Sequence, residues 1–268
     1  MRSNQQSGDL EISPMPFSRW RLIRTPERHP YFNMALDEAF FRLAREVPTL
    51  RIYSWNPPGL SLGYFQRYSD FDDGKLREIA SRAKSEPPVL VRRPTGGGAI
   101  FHWNELTFSI VTKYPNPIIP ESVAESYERI NSALISAFSA FGIDATTRSD
   151  AAFKHSPEIF CFNRVLPCDV IVSGKKLAGS AEKRSGGRFL AHGSIPLEDN
   201  PCAGNSTSVS QEAKRKVSFA EFEDAFVKSF QAVLRVTLFE DKIASNELAF
   251  AHKLEKEKYS SENWNKKR

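Results

Sequence analysis

The chain of 268 residues is 40% hydrophobic and 26% charged, with a net charge of +5, the balance of a soluble globular domain with a sizeable core. No run of about 18 apolar residues occurs, which excludes a membrane-spanning helix. An odd three cysteines exclude a disulfide framework and point to free thiols in a reducing compartment, with the cytoplasm as the expected location. The mild positive charge favours an anionic partner, whether nucleic acid, a phosphorylated cofactor or an acidic protein surface.

Residues 1–16 are polar, contain two prolines and lack the apolar stretch of a signal peptide, so a loose arm is expected. From Asn33, the spacing of Met34, Leu36, Ala39, Phe40, Leu43 and Val47 predicts a helix capped by Asn33 and ended by Pro48. LRIYSW (50–55) reads as a strand, NPPG (56–59) as a turn and LSLGYFQ (60–66) as a second extended piece. A short polar helix over 70–88 precedes a strand-rich block of VLVRR (89–93), GAIFHW (98–103) and LTFSIVT (106–112). Val123, Tyr127, Ile130, Leu134, Phe138 and Phe141 mark a long amphipathic helix with Gly142 where a C-terminal cap belongs. DVIVSG (169–174) and KKLAGSA (175–181) read as a hairpin, with RFLAHGSIPL (188–197) as the next strand. Ser218 and Glu221 form a capping box for a helix to about residue 235. The charged tail reads as partly helical and frayed at its end.

Runs of strands separated by a few helices predict an α+β domain of mixed sheets flanked by helices. One catalytic domain is expected over 17–240, after the 1–16 arm and before a charged extension at 241–268. Nucleotide-binding glycine motifs, a nucleophile elbow and a helical zinc-protease motif are all missing. Cys161 and Cys168 lie seven apart with no C-x-x-C or histidine pair nearby, so no zinc site is expected. His29, His102, His155, His192 and His252 are scattered, each more readily structural than a metal ligand.

Two segments carry unusual chemistry. RRPTGGGAIFH (92–102) is either a plain strand-to-strand turn or a bare backbone that approaches a ligand, with Arg92 and Arg93 supplying charge. GKKLAGSAEKR (174–184) sets two lysines beside small residues; strand alternation points Lys175 and Lys176 to opposite faces, so only one faces a given cleft.

Together with NMALDEA (33–39), LRIYSWNPPGLSLGYFQ (50–66) and AHGSIPL (191–197), these segments resemble the superfamily that attaches lipoate, octanoate or biotin to carrier domains. The lipoyl/octanoyl branch, lipoate-protein ligases and octanoyltransferases, is the closer match. The resemblance implies the biotin/lipoyl protein ligase-like catalytic fold. It places donor and acyl binding at Arg92, Arg93, Gly96, Gly97, Gly98 and His102, and the catalytic lysine at Lys176. In the cysteine-dependent octanoyltransferases of this group a Cys-Phe pair upstream supplies the nucleophile, which lands on Cys161-Phe162, fifteen residues before Lys176. Glu182 stands where many members have Gln, and Cys168 where an aromatic is more usual.

The chemistry so implied is acyl transfer through an enzyme thioester, with the Lys176 ammonium favouring the Cys161 thiolate. Backbone N–H groups around Gly179 and Ser180, or from the glycine loop, would stabilise the oxyanion, and Gly179, Ser180 and Ala181 are expected to bind substrate. The acyl chain would lie among Trp55, Leu60, Tyr64, Phe65 and Ile100. The expected donor is an octanoyl-acyl carrier protein, met by Arg92, Arg93, Lys183, Arg184 and Arg188. The expected acceptor is a lipoyl carrier domain, either a glycine cleavage H protein or a dehydrogenase E2 domain. No cofactor, nucleic acid or membrane is involved on this reading. The alternatives are an ATP- and Mg-dependent lipoate ligase working through lipoyl-AMP, an amidotransferase between carrier domains, and a silent acyl- or nucleic-acid-binding module, although no basic stripe interleaved with aromatics supports the last.

Overall fold

The computed structural model describes residues 18–148, 158–163 and 165–268; the expected arm at 1–16 and His155 lie outside the described residues. The first strand, β1 (Ser18–Arg28), leads into α1 (Pro30–Leu43). This helix starts three residues before the expected Asn33, because Pro30 pre-sets the first helical φ and the His29 ring accepts from Tyr31 N. Asn33 is inside the helix, its side chain donating to the carbonyls of Arg28 and Ser54. There follow β2 (Thr49–Trp55), β3 (Gly59–Leu62), α2 (Asp73–Ala83), β4 (Val89–Arg92), β5 (Ile100–His102) and β6 (Glu105–Lys113).

Ser122 caps α3 (Val123–Ser139) through Glu125 N, and Gly142 sits in the turn just beyond the helix at φ +71°. Next come β7 (Thr146–Thr147), β8 (Val170–Val172), β9 (Lys175–Ser185) and β10 (Arg188–Pro196), the last three joined by tight turns as the hairpin reading expects. The short α4 (Val209–Glu212) precedes α5 (Phe219–Leu234), which begins at the Ser218–Glu221 capping box. β11 (Val236–Glu240), α6 (Ser245–Leu254) and α7 (Glu262–Asn265) complete the chain.

The main sheet has the order β11-β1-β2-β6-β10-β9-β8-β7; a smaller one has the order β4-β3-β5. β1 runs parallel to both β2 and β11, and the remaining pairs of the main sheet are antiparallel. Alternation splits the apolar side chains between its faces. Trp20, Leu22, Ile52, Phe108 and Phe189 meet α3 and α5 on one side. Ile23, Tyr53, Val111 and Leu190 meet α1 and α6 on the other. The tail is not frayed: Tyr259 is buried with its hydroxyl on Glu38, and Asn265 is buried against β4.

Buried carboxylates on α1 tie stability to pH. Burial raises the pKa of Asp37, but Arg51 at 2.7 Å, His192 and Ser109 more than offset this, leaving it below its ordinary value. Glu38 is likewise lowered, burial being outweighed by Lys258, Tyr259 and Arg42. A depressed folded pKa contributes stability that is fully present above the unfolded value and lost as pH falls through the folded one. Thermal unfolding should therefore be nearly flat from neutral pH down to about pH 5 and drop below about pH 4. Asp37→Asn should flatten that acid limb; an unchanged limb would contradict the assignment.

Candidate active site

The glycine loop connects β4 to β5 within the small sheet and borders an apolar pocket of about 50 Å³ lined by residues of both sheets. A Cβ on Gly98 would lie 2.9 Å from Cys161 N and 3.1 Å from Cys161 Cα. Only glycine lets the loop meet this segment, and the two exchange backbone bonds, Cys161 N to Ala99 O and Ala99 N to Ile159 O, both 2.8 Å. Part of what the triglycine run provides is thus a seat for Cys161. Gly97 lines the pocket, while Gly96 accepts from Arg93.

The two arginines do not reach for an anion. Arg92 is fully buried and donates to the carbonyls of Gln66 (2.7 Å), Asn265 (2.9 Å) and Gly63 (3.0 Å). Arg93 donates to the carbonyls of Gly96 (2.6 Å), Gly98 (2.7 Å) and Ser61 (3.0 Å), with its side chain on the pocket wall. Their guanidinium groups brace the loop from within. Carbonyl oxygens are the strongest acceptors available inside a loop with no carboxylate, and a guanidinium satisfies several at once. Arg92→Lys, which offers one ammonium for that fork, should cost about 2–4 kcal/mol in urea unfolding.

Cys161 opens a short 3₁₀ turn, Cys161–Asn163, and faces the pocket. Lys176 on β9 is completely buried, with Nζ 3.1 Å from Cys161 Sγ and 2.8 Å from Asp169 Oδ1. Alternation sends Lys175 to solvent, as expected. A Cβ on Gly179 would sit 2.5 Å from Lys176 Cε, so a side chain there would displace the end of the lysine. Burial works against the Lys176 charge, but Cys161 and Asp169 outweigh it and leave the pKa raised. Lys176 is thus an ammonium held between a sulfur and a carboxylate. Burial and Asp169 push the Cys168 thiol up to about 11, so it stays protonated at neutral pH.

The far wall pairs Trp55 with His102, stacked at 3.7 Å between centroids; His102 Nδ1 meets Glu105 at 2.6 Å and Nε2 meets Ser61 at 2.8 Å. Gly179, Ser180 and Ala181 line the pocket, and Ser180 Oγ is buried with no hydrogen-bond partner among the described residues. Of the expected acyl-chain residues, Trp55 and Ile100 line the pocket, Leu60 packs in the core of the small sheet, and Phe65 is exposed. Glu182 is held by Arg184 at 2.8 Å, so its charge is paired.

Sequence reasoning missed Asp169, which completes the charged cluster, and the role of His192. Burial lowers the His192 pKa despite Asp37 at 3.3 Å, and its Nε2 meets Thr95 Oγ1 at 2.5 Å, linking α1 to the glycine loop. The available signal is a polar residue at a strand position between apolar neighbours. Among the described residues, no group of three or more His, Cys, Asp or Glu side chains is arranged to hold a metal ion.

Two sheets meeting over an apolar pocket with a buried thiol–ammonium pair define the ligase–acyltransferase type of catalytic domain. Residues 29–202 match the lipoyl protein ligase A/B catalytic domain, and the chain belongs to that family. It is 33% identical over 93% of its length to the octanoyltransferase LipM of Anoxybacillus flavithermus, covering 98% of that protein. To the octanoyltransferase LipM of Bacillus subtilis it is 31% identical, again covering 93% of this chain and 98% of the relative. Among solved structures, the bipartite lipoate protein ligase of Thermoplasma acidophilum shares the fold with a TM-score of 0.69 at 24% identity, over 94% of this chain and 96% of that one.

Proposed function

We propose that the protein transfers an octanoyl group from an acyl carrier protein thioester to a lysine of a lipoyl carrier domain, through a thioester on Cys161. The observation that carries this is the 3.1 Å contact between Cys161 Sγ and the buried Lys176 ammonium in an apolar pocket. The names of the octanoyltransferase relatives support the acyl group, and the E2 lipoyl domain that accompanies the Thermoplasma ligase supports the acceptor class.

In the first step the Cys161 thiolate attacks the thioester carbonyl. A new C–S bond forms, the bond to the carrier sulfur breaks, and Lys176 gives its proton to the departing thiolate. Acylation removes Cys161 as one of the two partners that raise the Lys176 pKa, leaving Asp169 alone to hold the proton, which makes it easier to release. In the second step the neutral acceptor lysine attacks the Cys161 thioester. A C–N bond forms, the C–S bond breaks, and Lys176 takes the amine's proton, restoring the thiolate–ammonium pair. Ser180 Oγ, a buried donor on the pocket wall without a partner among the described residues, stabilises the oxyanion in both steps.

No nucleotide enters this scheme. The chain mixed with octanoyl-loaded carrier should gain the mass of one octanoyl group without ATP, mapped to Cys161 and released by hydroxylamine. No adduct, an adduct elsewhere, or lipoate-dependent ATP consumption would overturn the reading, the last in favour of a ligase.

A further inference from the structure

The chain's last residues clamp Arg92 and also build a charged surface beside the pocket. Lys267 Nζ lies 3.6 Å from the Tyr64 ring centroid and 3.8 Å from that of Trp264. Arg268 lies 5.4 Å from the ring of Phe65, and Lys183 on β9 stands 5.5 Å from the ring of Phe41. Among the described residues, none of these three cationic side chains meets an Asp or Glu side chain. Nearby Lys258 and Lys266, by contrast, are paired with Glu38 and Glu262. An aromatic face holds a cation in place without cancelling its charge as a carboxylate would. The surface therefore keeps a local excess of positive charge, beside a Phe65 that is 69% exposed.

This surface borders the pocket at two points. The Phe65 ring edge is 3.9 Å from where a Cβ on Gly96 would sit, next to the pocket residue Gly97. Ala181 lines the pocket, and Lys183, two residues along the same strand, shares its face. Arg92 and Arg93 spend their donors on carbonyls, so they offer little to a partner.

We propose that Lys183, Lys267, Arg268 and Phe65 form the docking surface for the acidic acyl carrier protein that delivers the thioester, a reading that rests on the acyl transfer proposed above. The pocket is far too small to take in a folded domain. The body of the carrier must rest on the rim, where its acidic surface meets unpaired cations and an exposed ring, a combination typical of interfaces.

The test is binding of the unloaded carrier, bearing its phosphopantetheine arm, followed by fluorescence anisotropy. The Lys183→Glu/Lys267→Glu double variant should bind about tenfold more weakly and lose most of the salt dependence of the unmodified chain. Phe65→Ala should weaken binding without changing the salt dependence. Acylation of Cys161 by a small octanoyl thioester lacking a carrier should proceed at the unmodified rate in all variants. Unchanged carrier binding in the double variant, no binding by the unmodified chain, or a loss confined to the isolated lipoyl carrier domain would overturn the assignment. An equal loss of rate with the small thioester would overturn it too, by placing the effect in the pocket. Failure of the small thioester to acylate the unmodified chain would instead sink the transfer reading, and the binding measurement decides the surface either way.

Discussion

Cys161→Ala should reduce octanoyl transfer by about 10⁴-fold or more, since losing a covalent nucleophile removes a whole reaction route rather than one contact. The substitution shortens a small side chain that is only 8% exposed and takes one acceptor from Lys176, so the chain should still fold. The control is Cys168→Ala. Cys168 is near the same hairpin, but with its thiol at about 11 it carries almost no thiolate at neutral pH. Transfer should survive that change. A Cys161→Ala chain that keeps transfer within tenfold of the unmodified one would end the thioester mechanism, whatever the Cys168 variant does.

Lys176→Met should act on reactivity and stability together. Methionine approximates the length of the lysine but leaves the Asp169 carboxylate, 2% exposed, without its 2.8 Å partner. Breaking a buried pair by removing one member costs about 3–5 kcal/mol, readable as a shift of the urea midpoint. Without the adjacent ammonium, alkylation of Cys161 by iodoacetamide at pH 7 should slow by about 10–100-fold. The two effects separate in the Lys176→Met/Asp169→Asn double variant. Neutralising the stranded carboxylate should restore much of the stability and none of the alkylation rate. Equal recovery of both would mean that Lys176 serves the fold alone.

Much of this architecture was legible from residues in order. The capping box at Ser218, the hairpin from Asp169 and the alternation that separates Lys175 from Lys176 are local rules, and local rules survive folding. Cys161 and Lys176, fifteen apart, meet because the hairpin and the glycine loop close on each other. The unread parts share one cause, a charge that finds its partner far along the chain. β1 hides because Arg21 sits inside it, buried and paired with Glu247 at 2.7 Å, so the strand lacks a clean apolar pattern. For Arg92 and Arg93 a sequence shows the cation and not the carbonyls that receive it. Asp169 and His192 stayed unmarked for the same reason: each takes its meaning from a partner on another element. Tail residues such as Asn265 look solvent-bound until β4 is seen beneath them.

The pairing of β1 with β11 carries a consequence for how the protein is made. Arg21 and its partner Asp241 are 220 residues apart, and ribosomes add about 5–20 residues per second. For roughly 10–45 seconds of synthesis β1 therefore waits with one edge unpaired and a buried-to-be guanidinium unmatched. The hairpin that carries Lys176 emerges during that wait, and the edge strand β11 is added beside β1 only when synthesis is nearly done.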